Sequence, residues 1–108
     1  MGARYQGTGQ YSGTRADIVR AAQEVAGQSG FKVQEVNADE GSVSARAGFS
    51  LRSWGEKISV HVDEAGTVQV TSECLMPTQI VDYGKNKSNV NRLLTRLSAR
   101  LGDSAAAS

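Results

Sequence analysis

A chain of 108 residues, 39% hydrophobic and 21% charged, has the size and composition of one globular domain. Its one cysteine, Cys74, excludes an internal disulfide and a cysteine-built metal knuckle. A net charge of +1 gives little long-range steering towards nucleic acid or an anionic membrane. That charge is unevenly spread: +1 over residues 1–30, −3 over 31–75 and +3 over 76–108. The opening MGARYQGTGQYSG contains no apolar run, so neither a signal peptide nor a membrane anchor is expected. Gly2 lacks the Ser or Thr that myristoylation wants at the sixth position, where Gln6 stands. A reducing, cytoplasmic location fits the lone thiol.

In chain order, residues 4–11 alternate loosely, with Tyr5, Gly7, Gly9 and Tyr11 on one side. Two glycines weaken a strand, so the expectation is a short N-terminal edge strand. Thr14 then makes a good helix N-cap, with Asp17 three residues on. Ile18, Ala22, Val25 and Ala26 follow at helical spacing, and Gly30 supplies a stop. A four-stranded meander is predicted at approximately 31–37, 42–51, 56–63 and 67–75. Asn37–Gly41 and Glu64–Gly66 are turn chemistry, and Ser53-Trp54-Gly55 marks the middle reversal. In the last three strands Val43, Ala45, Ala47, Phe49, Ile58, Val60, Val62, Val68, Val70 and Cys74 share one face. The other face carries Ser44, Arg46, Ser50, Arg52, Ser59, His61, Asp63, Thr67, Gln69, Thr71 and Glu73. An antiparallel sheet covered on one side and wet on the other has this pattern.

Residues 75–82, LMPTQIVD, form an apolar connection broken by Pro77. A second helix is predicted from about Tyr83 to Leu101, capped by Asp82, because Val90, Leu93, Leu94, Leu97 and Leu101 fall within about 100° of arc. Asn86 and Tyr83 extend that stripe backwards, while Arg92 and Arg96 lie opposite and Arg100 flanks. The expected fold class is therefore α+β: an antiparallel meander, with a possible N-terminal edge strand, under two helices on one face. Residues 1–101 form the expected domain and 102–108 a disordered tail.

For chemistry, Ser59, His61 and Asp63 occupy one strand face at alternate positions, some 6.5–7 Å apart along the strand at ~3.3 Å per residue. A nucleophile and base need contact at about 2.6–3.2 Å, and no nucleophile-elbow signature accompanies them. Cys74 falls on the opposite face from His61, which leaves no three or four ligands for a metal. Gly7-Thr8-Gly9 lacks the rest of a phosphate loop. No catalytic residue, cofactor or metal is assigned, and the chain is expected not to be an enzyme. Two places remain for a ligand or partner. Trp54 either caps the core or stands out as a binding anchor. In the segment Asp82-Tyr83-Gly84-Lys85-Asn86-Lys87, the lysines near a helix N-terminus either frame an anion or lie on a solvated first turn. Asn86, on the apolar stripe, needs hydrogen-bond partners if buried.

The element order, together with the segment IVDYGKNKSNVNRLLTRL and its Asp82, Gly84 and Asn86 before the leucine stripe, resembles small bacterial α+β domains of unknown function. Their architecture is similar to a trimmed helix-grip (START-like) fold or a single TATA-binding-like repeat. Helix-grip resemblance implies an apolar ligand between sheet and long helix, but this chain lacks the extra strands of a deep cavity. A TATA-binding role implies basic and apolar groups on the open sheet face, whereas Arg46 and Arg52 there mix with Asp63 and Glu73. The expected function is a non-catalytic module binding a protein partner or small ligand through the sheet–helix groove or the polar sheet face. A nucleic-acid or anion-binding accessory role for the basic helix (Lys85, Lys87, Arg92, Arg96, Arg100) is the alternative, although the low net charge argues against nucleic acid. A monomer, or a weak homodimer that dissociates with salt, is expected.

Overall fold

The computed structural model describes residues 4–47, 55–74 and 85–101, with only the backbone at Lys85. The elements are β1 (Arg4–Gln10), α1 (Arg15–Gln28), β2 (Lys32–Asn37), β3 (Ser42–Ala47), β4 (Glu56–Val62), β5 (Thr67–Cys74) and α2 (Lys85–Leu101). Trp54, Phe49, Arg52, Asp82, Tyr83 and the predicted tail lie outside the described residues.

The Thr14 side chain caps α1 by accepting the N–H of Asp17 at 3.1 Å, as the sequence signature predicts. At the other end Ser29 is the C-cap, with its N–H bonded to Val25 O at 2.9 Å, and Gly30 follows at φ +84°. The β2–β3 turn needs a left-handed residue at Gly41 (φ +74°). A Cβ there would stand 2.2 Å from the carbonyl oxygen of Val62, so glycine meets both the dihedral and the space.

The five strands pair antiparallel in the order β1-β5-β4-β3-β2, an α+β sheet with both helices packed on it. Local alternation places each side chain on its face, but the partner of β1 is a tertiary result: the N-terminal strand closes the sheet beside β5. The glycines of β1 have a packing role. A Cβ on Gly7 would lie 2.8 Å from Val90 Cγ1 and 3.1 Å from Leu94 Cδ1, so the bare backbone lets α2 settle close on the sheet.

The two helices divide the covered face. The second helix is expected over Val43, Phe49, Ile58, Val60, Val68 and Val70, with the first helix on the same face. Of that face, α1 covers β2, β3 and part of β4, while α2 covers β1, β5 and the adjoining part of β4 and touches α1. Ile18, Val25, Ile58, Val60, Val70, Val90, Leu93 and Leu97 form one buried cluster. The centre of the α2 stripe is Leu93 and Leu97, with no exposure; Leu94 sits half-buried at its edge over Gly7. At the outer edge, β2 slips register between Val33 and Glu35 and leaves Val36 40% exposed. No helix among the described residues is long and apolar enough to cross a membrane.

Candidate functional site

Polar side chains gather in two places, one under α2 and one on the open face. Under α2, strand parity carries Glu56 and Ser72 to the covered face along with Ile58 and Val70. Helical spacing brings Asn86 and Asn89 to meet them, one turn before Val90 and Leu93. The Ser72 hydroxyl donates to Asn86 Oδ1 at 2.7 Å, and Asn86 Nδ2 donates to Cys74 Sγ at 3.5 Å. Asn89 Nδ2 donates to Glu56 Oε1 at 3.0 Å and to Ser72 Oγ at 3.2 Å. Glu56 is 3% exposed, and its Oε2 has no hydrogen-bond partner among the described residues. Burying a carboxyl group is costly without such bonds, so the amide of Asn89 is what makes Glu56 tolerable there. This network fixes the position of α2 along the sheet, since sliding the helix by one residue would unmake every bond in it.

On the open face, the pairing register aligns side chains in rows across all five strands. One row reads Arg4, Glu73, Lys57, Arg46, Lys32. The next reads Gln6, Thr71, Ser59, Ser44, Glu35, and the third Thr8, Gln69, His61, Ser42, Asn37. Gln10, Thr67 and Asp63 begin a fourth, tied by Thr67 Oγ1 donating to Gln10 Oε1 at 2.8 Å and Asp63 N–H to Thr67 O at 3.0 Å. No side chain in these rows is aliphatic, and their one aromatic ring is the imidazole of His61. The middle rows line a shallow concavity of about 480 Å³ around Ser44, Lys57, Ser59 and His61.

The residues singled out from the sequence do not form one site. Trp54, Asp82 and Tyr83 fall outside the described residues; Lys85 opens α2; Asn86 is fully buried; Lys87 is exposed. Asn86 turns inward to Ser72 and Cys74, so it does not share a surface with Lys87 to frame an anion. Of the basic helix, Arg92 donates to Ser29 O at 3.4 Å and Arg100 pairs with Glu24, while Lys87 and Arg96 are exposed. Cys74 is buried on the covered face and His61 exposed on the open one, so the sheet itself separates them. The carboxylate of Asp63 accepts the N–H groups of Ala65 and Thr67, both at 2.9 Å, which commits it to the turn rather than to His61. Among the described residues no group of three His, Cys, Asp or Glu side chains is placed to hold a metal ion.

Sequence reasoning omitted Glu56, Ser72 and Asn89. Parity carried the signal: Glu56 and Ser72 alternate with Ile58 and Val70, and Asn89 follows Asn86 by three. Reading the faces for apolar residues alone passed over the polar members of the same stripe. No family model matches the chain, and no curated protein matches it.

Proposed function

We propose that this chain is a non-catalytic binding module that engages its partner through the open polar face of the sheet. The observation behind this reading is the register, which sets rows of donors and acceptors on rigid strands with no apolar residue among them. Such a face needs no cover in a monomer, and it suits a wet, reversible contact better than an obligate one. The groove between sheet and α2 is the weaker alternative, because Val90, Leu93 and Leu97 fill it without exposure. That packing also argues against a helix-grip-like ligand cavity. An anion-binding role for α2 is weakened in turn, as Arg92 and Arg100 are engaged within the molecule.

The test is position-specific photocrosslinking in native cells, with the probe at Ser59 or Thr71 on the open face and at Thr95 on the outer face of α2. Adducts from the two sheet positions and none from Thr95 are expected, with the adduct identified by mass spectrometry. Adducts from Thr95 alone would move the binding surface to the helix and sink this reading.

A further inference from the structure

Resting on that reading of the open face, we infer that its partner is a second copy of this chain, docked face to face about a twofold axis lying across the strands. Charge on this face is segregated along the strands. The first row holds Arg4, Lys57, Arg46 and Lys32 against Glu73, with Glu35 in the row beside it, so this end is net cationic. At the opposite end stand Asp63 on the open face and, in the adjoining turns, Asp39, Glu40 and Glu64. Arg15, which donates to Asp39 O at 2.7 Å and lies 3.9 Å from Glu64, offsets them only in part. The molecule therefore displays, on one surface, both a cationic edge and the acidic edge that complements it.

Symmetry decides how two such faces meet. A twofold axis along the strands would lay the cationic row on its own copy. An axis across the strands, between the Ser44–Ser59–Thr71 row and the Ser42–His61–Gln69 row, reverses strand direction. Each strand then lies over its own counterpart, with Lys57 facing the β4–β5 turn, where exposed Glu64 follows Asp63, and Lys32 facing the Asp39–Glu40 turn beside β2. Hydroxyls and amides of the two middle rows meet at the centre, with charges at the rim, as in a wet reversible interface. Five strands about 4.8 Å apart and six residues of ~3.3 Å rise give a face of roughly 400 Å² per copy. That is about half the usual area per partner, so the dimer is weak and salt-sensitive. A single-stranded nucleic acid fits less well, because its binders add several aromatic stacking platforms along a cationic groove, whereas these rows hold one ring, His61, and carry carboxylates at Glu73, Glu35 and Asp63.

Sedimentation velocity on the full chain at about 10 mM and about 1 M salt, where screening lengths are about 30 and 3 Å, tests the inference. The expected result is a concentration-dependent dimer at low salt that is lost at high salt. Lys32→Glu/Lys57→Glu and Glu40→Lys/Glu64→Lys should each lose the dimer, while an equimolar mixture of the two should recover it, because each reversed edge now meets its complement. All substituted residues are exposed, and circular dichroism of each variant confirms folding. A wild-type chain monomeric at both salts, or a mixture of folded variants that fails to associate, overturns the second copy as partner. Sheet-face crosslinks to a different protein would then leave the proposed binding face standing without self-association. Lys57-dependent binding of a single-stranded oligonucleotide by a chain that stays monomeric would overturn it in favour of a polyanion.

Discussion

The same strands present two faces governed by opposite physics. On the covered face polar groups are few, and each is an obligation: Ser72 and Glu56 sit under α2 only because Asn86 and Asn89 reach down to them. On the open face the described rows are polar, and water can serve most of their side chains; Asp63, which accepts two backbone N–H groups of its turn, has a structural task. The covered face therefore records what the fold demands. Selection of particular charges and hydroxyls is free to act on the open face, which is why the binding surface is sought there.

The largest effect that would break this contrast lies in the core. Leu93→Ala or Leu97→Ala should cost ~2–5 kcal/mol in urea unfolding, as for fully buried leucines. A loss below about 0.5 kcal/mol at both would mean that α2 does not cover the sheet as described, since changes of that size belong to surface sites.

Next come the polar members of the covered face. Asn86→Ala should cost about 1–3 kcal/mol, because it strips the Ser72 hydroxyl of its acceptor in a dry place. The double change Asn86→Ala with Ser72→Ala should cost less than the two single costs added together, a coupling of about 0.5–3 kcal/mol in a double-mutant cycle. Additive costs would show that the hydrogen bond adds nothing beyond burial.

Gly7→Ala sharpens the comparison at the sheet edge. The added methyl meets Val90 at 2.8 Å and should cost roughly 1–3 kcal/mol by overpacking. Thr8→Ala, one residue along on the open face, serves as its control and should change the thermal midpoint little.

The smallest effect belongs to the open face. His61→Ala should change stability by less than about 0.5 kcal/mol, as expected for an exposed residue. A hydrolytic or transfer activity that disappears with His61→Ala in a folded protein would overturn the non-catalytic reading of this face.

How much of this was legible beforehand depended on the range of the interaction. Thr14 as a cap, Gly41 in its turn and the alternation through β3 to β5 are local, because each depends on neighbours within a few residues. Asn86 could be flagged as a polar residue on an apolar stripe, but its partners lie 12 and 14 residues away, on Cys74 and Ser72. Periodicity puts Asn86 on the buried stripe and Lys87 off it, and the structure places Asn86 with no exposure and Lys87 at the surface, so the two do not share one surface.

By itself, then, the sequence determined periodicity. Side chains alternate along strands and recur every 3.6 residues along helices, so each element's two faces can be read without knowing what lies opposite. Only the tertiary structure decided adjacency. It placed β1 beside β5, divided the covered face between α1 and α2, and aligned Arg4, Lys57, Arg46 and Lys32 into one row. These residues are far apart in the chain, and their alignment follows from strand register. Register is set by burying the apolar face, so the charges on the other face are carried into line by packing on the side where they do not lie.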